Sequence, residues 1–196
     1  MGRPSLNAER REQILAAFEK CVAERGVDGA TLERIAEEAG VARALIRHNV
    51  GNKDDLLDAL VARFLERTEA EMAALAASLP SKRRVQTLVD WLFDPAEFDD
   101  HATRLSEALI DAATTHPALA EPMRQWTEGF VAVIERVIRE EHPGVRRNSA
   151  AAVATGITGI YFNVTSLATL GGMPRFFKAS KTAADLLIQS LEADRV

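Results

Sequence analysis

Three glycines divide the first part of the chain into short helical segments. Gly26 follows an apolar-periodic stretch that begins near Asn7, Gly40 follows a second stretch, and Gly51 follows a third. Glycine commonly ends a helix, because it adopts a left-handed backbone conformation at little steric cost. The sequence therefore predicts three short helices that form a small unit at the N-terminus.

The remainder of the chain continues the helical pattern. Strand-like alternation is absent, and Ala, Leu, Glu and Arg dominate. We expect an all-α fold of about nine helices, with an N-terminal helix-turn-helix domain over residues 1–53 and a C-terminal helical bundle over 54–196. Helix four, which starts at residue 52, links the two domains. The predicted helices cover approximately residues 7–25, 32–39, 42–50, 52–79, 81–93, 94–115, 117–142, 145–170 and 175–193.

Composition favours a soluble globular protein, with 47% hydrophobic and 27% charged residues. Cys21 is the single cysteine, so an intrachain disulfide and a cysteine-based zinc cluster are excluded. We expect Cys21 to pack in the core, and we expect no metal or cofactor. The N-terminus lacks an apolar stretch, which predicts a cytoplasmic protein without a secretory signal.

One uncharged segment, from Asn148 to Pro174, is long enough to span a bilayer. It is rich in Ala, Gly and Thr and contains Asn163 and Ser166, so a helix buried in protein is favoured over a membrane span.

The acidic total does not describe the N-terminal unit. The formal net charge is -5, but residues 1–50 hold eight Lys or Arg and eight Asp or Glu. The negative excess belongs to residues 51–196, so an anionic partner for the N-terminal unit is not excluded.

The segment from Thr31 to Val50 fits a helix-turn-helix, whose second helix can enter the major groove of DNA. On a helical wheel Ile46 and Val50 point to the core. The opposite face is small and basic and can donate hydrogen bonds to bases or neutralise phosphates. The candidate DNA contacts are Arg3, Thr31, Arg43, Ala44, Arg47, His48, Asn49 and Lys53. The alternative is an ordinary solvated helix face, and for His48 alone the two are equally weighted.

The N-terminal part resembles the TetR family of transcriptional regulators. The resemblance is close over residues 2–60 and rests on Arg10 and Arg11 before Ile14, Gly26 before Thr31, Ile35-Ala36, Ala39-Gly40-Val41, and Lys53 with Leu56-Leu57. Arg47, Asn49 and Val50 stand where the family usually has aromatic rings or histidine. The resemblance implies a C-terminal domain that binds a small molecule and dimerises.

Aromatic and polar residues of that domain are candidates for the small-molecule site, since such sites combine aromatic walls with a few polar groups. The candidates are Trp91, Phe98, Leu105, Leu109, Trp126, Phe130, Tyr161, Asn163 and Thr165. The alternative for each of them is ordinary core packing.

The last two helices are candidates for a dimer interface, because small residues in one allow close approach and the other has a broad apolar face. The candidates are Val153, Ile157, Ile160, Phe176, Ala183, Leu186 and Leu187. The alternative is that these helices only close the core of the monomer.

Together these features predict a ligand-responsive DNA-binding regulator that is not an enzyme. We expect a repressor that binds a palindromic double-stranded operator as a homodimer and is released by a small apolar or amphipathic molecule. The alternatives are an enzyme that uses the helical pocket and an adaptor that binds protein without reading DNA sequence.

Overall fold

A computed structural model of the chain describes residues 6–171 and 173–192, apart from the side chain of Leu6. Within these residues the chain forms nine α-helices, two short 3-10 helices and no strand, which confirms the all-α fold class. The helices are α1 (Leu6–Gly29), α2 (Leu32–Glu38), α3 (Arg43–Asn49), α4 (Lys53–Ser78), α5 (Arg84–Leu92), α6 (Asp100–Ala112), α7 (Ala120–Glu141), α8 (Arg147–Ala168) and α9 (Pro174–Ser190).

The chain divides into two compact units. Unit 1 holds the chain up to Arg67 together with His101–Met123, and unit 2 holds Thr68–Asp100 and the chain from Arg124 onward. Helix α4 contributes residues to both. The boundary expected after residue 53 separates a DNA-binding domain from a ligand-binding domain, whereas the two units are defined by packing. The functional boundary therefore stays a prediction.

Unit 1 is built on the apolar faces of α1, α2 and α3. Ile14, Phe18, Ile35 and Ile46 are fully buried, as the helical periodicity predicts. Cys21 is also buried, which confirms its place in the core, and burial raises the pKa of its thiol. Polar bonds fix α1 against α2. The Gln13 side chain donates to the carbonyl of Ala39 at 2.6 Å, and Lys20 donates to Glu38 at 2.7 Å.

The end of α1 is confirmed at Gly26, which has φ 71° and ψ 170° and so interrupts the helix. A further helical turn then continues to Gly29.

Helix α8 lies in the core of unit 2, where Ala150, Ala154 and Ile157 are fully buried. By length and composition alone, α8 is the one helix of the described residues that passes as a membrane span, with a mean hydropathy of 1.3 over 18 residues. Its buried face packs within unit 2 and it contacts α9. The expectation of a helix buried in protein agrees with this packing.

The single helix predicted over 94–115 is wrong. Asp94 caps a 3-10 helix, Pro95–Glu97, and its side chain accepts from the amide of Ala96 at 2.9 Å. Phe98 then has an extended backbone, and α6 begins at Asp100. The Phe98 ring contacts the Phe177 ring with centroids 5.1 Å apart. Aromatic packing in unit 2 therefore accompanies the break in a sequence whose local pattern favours helix.

Candidate nucleic-acid interface

The turn between α2 and α3 sets the direction of α3. Thr31 caps α2, as predicted, because its hydroxyl accepts from the amide of Arg34 at 3.4 Å. Gly40 has φ 62°, and the amide of Val41 donates to the carbonyl of Ala36 at 2.9 Å. The positive φ requires a residue without a β-carbon penalty, so Gly40 makes this close turn possible.

Helix α3 presents its basic face to solvent. Ile46 is fully buried, while Arg43, Ala44, Arg47 and His48 are exposed. The orientation predicted from the helical wheel is therefore confirmed. Contact of these residues with DNA stays a prediction.

The basic groups of α3 differ in what holds them. The guanidinium of Arg43 forms an ion pair with the carboxylate of Glu33 in α2. The pKa of Glu33 is lowered, first by a backbone hydrogen bond and also by Arg43. Within the described residues, the side chains of Arg47 and His48 have no hydrogen-bond or ion-pair partner. Arg47 and His48 are thus free to meet an anionic ligand without breaking an internal contact.

Asn49 is less available than the sequence predicts. Its side-chain amide donates to the carbonyl of Leu45 at 2.7 Å, so one of its two N–H groups bonds its own helix. A bidentate pairing with adenine uses the amide oxygen and one N–H of the side chain. Asn49 can make this pairing only with its second N–H, because the first is bonded to Leu45.

Leu45 is the residue of this face that sequence reasoning does not select. Its side chain is 37% exposed, which places it among the few large hydrophobic residues with this much exposure in the described chain. On the helical wheel Leu45 lies between His48 and Asn49 at the border of the core face, so the wheel alone does not decide whether it is buried or exposed.

The start of α4 follows α3 through a reciprocal cap. The amide of Asn52 donates to the carboxylate of Asp55, and the amide of Asp55 donates to the side-chain oxygen of Asn52, each at 2.9 Å. This capping box confirms the predicted start of α4. Gly51 has φ 111°, which side-chain-bearing residues rarely adopt, and a β-carbon there would crowd the Asp55 carboxylate of the cap, so a substitution at Gly51 would strain this turn. The half-buried Lys53 opens α4 directly after this cap.

Arg3, the remaining predicted DNA contact, lies outside the described residues.

Aromatic rings of unit 2 gather into one cluster, which we call the ring cluster. Trp126 stacks on Phe162 with centroids 5.1 Å apart, and Phe130 stacks on Tyr161 at 5.4 Å. The ring cluster also contains Phe93, Phe98 and Phe177. Burial raises the pKa of the Tyr161 hydroxyl above its usual value of 10.0, and the charge of Asp99 adds to the rise.

The ring cluster brings together four of the nine predicted ligand-site residues, namely Phe98, Trp126, Phe130 and Tyr161. Leu105 and Leu109 are fully buried and belong to unit 1. Trp91 is exposed and makes no ring contact among the described residues.

The polar residues on α8 differ in their surroundings, and their contact with a ligand stays a prediction. The Thr165 hydroxyl donates to the carbonyl of Phe162 at 3.0 Å, so its helix satisfies it without a ligand. The buried Thr158 hydroxyl likewise donates to Ala154 at 2.9 Å. Asn163 is exposed and does not belong to the ring cluster.

An open groove of about 550 Å³ runs between α8 and α9. It is lined by Gly156, Gly159, Ile160, Asn163, Phe176, Ala179, Ser180 and Ala183. Three predicted dimer residues, Ile160, Phe176 and Ala183, therefore share one surface with Asn163.

The other predicted dimer residues divide by exposure. Leu186 of α9 is 59% exposed. Leu187 is half-buried and lies against Gly156, where a β-carbon would come within 2.8 Å of it. Val153 and Ile157 are buried in the core of unit 2, so the surface that unit 2 offers comes from the other residues.

In the described part of the chain, no three His, Cys, Asp or Glu side chains form a group that could hold a metal ion.

Comparison with known proteins identifies the family. Residues 14–60 match the family described as bacterial regulatory proteins, tetR family. A relative from Corynebacterium diphtheriae, named HTH-type transcriptional repressor AcnR, is 31% identical over 143 residues, which cover 71% of this chain and 69% of the relative. Another from Burkholderia mallei, named HTH-type transcriptional regulator BetI, is 27% identical over 191 residues, which cover 95% of each protein.

The fold is also similar to solved structures. One is a protein from Saccharomonospora viridis, described as a transcriptional regulator and solved in complex with choline. It has a TM-score of 0.75 and 20% sequence identity, and the similarity covers 92% of this chain and 96% of the other.

The matched residues 14–60 contain α2, α3 and the turn between them, together with parts of α1 and α4. The relatives are named as transcriptional regulators, which confirms the expectation that the protein is not an enzyme. The exposed basic face of α3 lies within the family's matched region. The chain belongs to the TetR family of bacterial regulatory proteins and is a DNA-binding transcriptional regulator.

Proposed function

We propose that this regulator is a cytoplasmic, dimeric repressor that binds a palindromic operator and is released by a small molecule. The observation that carries the DNA-binding part is the outward face of α3. Arg47 and His48 are exposed there without a side-chain partner in the described chain, and Ile46 anchors the opposite side of the helix. Arginine pairs bidentately with guanine in the major groove, and both side chains can also contact phosphates.

A homodimer through α8 and α9 is supported by the groove between these helices and by Leu186. Leu186 lies on α9, which also lines the groove, and its apolar side chain is 59% exposed, so α9 offers a second copy apolar surface to bury. A two-fold pair of the same surfaces makes a closed dimer. Such a dimer would read two half-sites about 34–36 Å apart, which is one turn of B-DNA.

The ring cluster supports a small-molecule effector site in unit 2. Aromatic faces pack against apolar molecules and also attract cations. The Saccharomonospora viridis protein of similar fold was solved with choline, a quaternary ammonium cation. Choline is therefore the first effector to assay, followed by apolar and amphipathic molecules.

The mechanism that we propose is a population shift. An effector that binds unit 2 better in one conformer favours that conformer. We propose that this conformer holds the two α3 helices of the dimer at a separation that does not match the operator. The loss of operator affinity is then limited by the ratio of the effector's affinities for the two conformers. Helix α4 is the proposed connection, since it begins beside α3 and contributes residues to both units.

Selection from random-sequence duplex DNA with the purified protein tests this function. We expect a two-fold symmetric site with half-sites about one helical turn apart. Enrichment of no sequence would contradict the operator and favour the adaptor alternative. An asymmetric single site would contradict the dimer.

Two further measurements separate the remaining parts. Sedimentation of the protein with Leu186→Glu is expected to show a monomer if α8 and α9 form the interface, whereas a dimer that persists would exclude it. A promoter that carries the selected site is expected to be repressed in an in vitro transcription assay. Activation of that promoter would contradict the repressor.

A further inference from the structure

Two polar side chains line the otherwise apolar groove between α8 and α9. Asn163 of α8 is exposed, whereas Ser180 of α9 is only 9% exposed. The other lining residues are glycines, alanines, an isoleucine and a phenylalanine. Neither polar side chain forms a hydrogen bond with any residue that the structure describes. Buried polar groups nearly always have a partner, so a molecule that covers this groove must supply one for each of them.

Asn163 and Ser180 lie at the same level of the groove. Helices α8 and α9 pack against each other and are joined by a short connection, so they run in opposite directions. A β-carbon on Gly156 would come within 2.8 Å of Leu187, which places these two residues side by side. Asn163 follows Gly156 by seven residues, and Ser180 precedes Leu187 by seven residues. Each is therefore about two helical turns further toward the connection.

The two polar groups complement each other. An amide and a hydroxyl each donate and accept hydrogen bonds, so Asn163 can pair with a serine and Ser180 with an asparagine. In an isologous dimer both copies present the same surface, and that surface must be its own complement. None of the residues that line the groove is charged, so a second copy meets no repulsion there. A second copy of the chain thus fits the chemistry of the groove.

A two-fold axis along the groove determines which helices meet. Helix α8 of one copy then lies opposite α9 of the other, and the rotation leaves every residue at its own level. Asn163 therefore faces the partner's Ser180, and Ser180 faces the partner's Asn163. One turn away, Ile160 lies level with Ala183, so the large side chain of one copy faces the small one of the other.

We propose that Asn163 and Ser180 form a polar layer in the dimer interface, in which each Asn163 hydrogen bonds the partner's Ser180. The layer determines the register of the two copies, because a shift along the groove would leave all four polar groups against apolar side chains. This inference rests on the proposed dimer and goes beyond it, since it names the pairing and the direction of the axis. It gives Asn163, a ligand-site candidate in the sequence, a role in self-association.

Disulfide cross-linking between two separately purified variants tests the pairing. Asn163→Cys and Ser180→Cys are each made in a chain that also carries Cys21→Ala, which removes the native cysteine. The two variants are mixed, allowed to exchange subunits and oxidised with diamide. A disulfide needs β-carbons about 3.5–4.5 Å apart. We expect a linked dimer from the mixture and little linked product from either variant alone.

Thr182→Cys is the matched control for Ser180→Cys. Thr182 is exposed on the same helix but does not line the groove, and its hydroxyl donates to the carbonyl of Lys178 at 2.9 Å. Mixed with Asn163→Cys, it is expected to give no linked dimer.

Alanine variants measure what the pair contributes to the dimer. Asn163→Ala or Ser180→Ala leaves two polar groups of the dimer without a partner, so we expect each to weaken dimerisation about tenfold or more. The double variant is expected to dimerise no more weakly than either single variant, because no unpaired group remains. Sedimentation equilibrium measures the dissociation constants, and Thr182→Ala is expected to change them little. Circular dichroism checks that each variant keeps its helical content.

Three results would overturn the inference while the protein remains a dimer. The first is the absence of a link between positions 163 and 180. The second is an efficient link of Asn163→Cys to itself, which would place α8 opposite α8. The third is that the losses of the two alanine variants simply add in the double variant. Failure of the proposed dimer is distinct, because the unmodified protein would then sediment as a monomer.

Discussion

The guanidinium of Arg67 donates a hydrogen bond of 2.6 Å to the carboxylate of Glu19. Glu19 lies on α1 and is only 5% exposed. Its carboxylate also lies 3.3 Å from the guanidinium of Arg63 in α4 and 3.4 Å from the imidazole of His101 in α6. One buried carboxylate thus joins three helices of unit 1. The ion pairs supply the compensation that a buried charge needs.

We expect Glu19→Gln to lower the free energy of unfolding by about 2 kcal/mol. The loss is smaller than for a fully buried pair, because the two arginines remain about one third exposed and water screens them. Urea unfolding followed by circular dichroism measures it. Glu12→Gln is the matched control, since Glu12 pairs with the same Arg63 at an exposed position, and we expect a change below about 0.5 kcal/mol. Equal losses in the two variants would show that burial of Glu19 adds nothing.

Glu33→Gln is expected to increase operator affinity several-fold. Glu33 holds Arg43 in an ion pair and places a negative charge beside the surface that we propose meets phosphates. Without the carboxylate, Arg43 is free to pair with a DNA phosphate. The plot of log affinity against log salt concentration then becomes steeper by about one released counterion. Fluorescence anisotropy over a range of salt concentrations measures both quantities.

The control for Glu33 is Glu37→Gln, which removes an exposed charge from the same helix where no side-chain ion pair is formed within the described residues. We expect little change. A decrease in affinity with Glu33→Gln would show that Glu33 instead positions Arg43 for binding.

Tyr161 allows a direct measurement on the ring cluster, because it is the single tyrosine of the chain. Burial raises its pKa, so we expect its ultraviolet titration midpoint to lie above 10 in the folded protein and to fall to the ordinary value in urea. The folded state then holds the proton more tightly than the unfolded state. Its contribution to stability is complete below pH 10 and is lost as the pH rises further. An identical midpoint with and without urea would mean that the ring is solvated.

The comparison of sequence and structure separates local from tertiary causes. The start of α4 and the outward face of α3 were predictable, because a capping box and a helical wheel depend on residues within one or two turns. The break at Phe98 was not, since it accompanies ring contacts with Tyr161 and Phe177, which are remote in sequence.

The candidate sites show the same limit. Thr165 belongs to a helix whose carbonyl satisfies it, and Val153 and Ile157 turn into the core of unit 2. Periodicity shows which positions of a helix are apolar or polar. Whether such a position is buried or exposed depends on the neighbouring helix that packs against it. Leu45 is the converse case, because its exposure is visible only once α3 is placed.

We expect the outward face of α3 to read DNA sequence through Arg47. Within the described chain its side chain is exposed and without a partner, so Arg47→Ala is expected to leave unit 1 folded. If Arg47 contacts a base, operator affinity falls by about 1–3 kcal/mol and the preference over a shuffled duplex narrows. Arg136→Ala, an exposed arginine on α7, is the matched control and is expected to change neither.

The most direct measurement is therefore the anisotropy titration of wild type, Arg47→Ala and Arg136→Ala against the selected operator and its shuffled duplex at fixed salt. We predict that Arg47→Ala alone loses both affinity and discrimination. A uniform loss on both duplexes would make Arg47 a phosphate contact. Unchanged binding by Arg47→Ala would contradict the account of α3 as the DNA-reading helix.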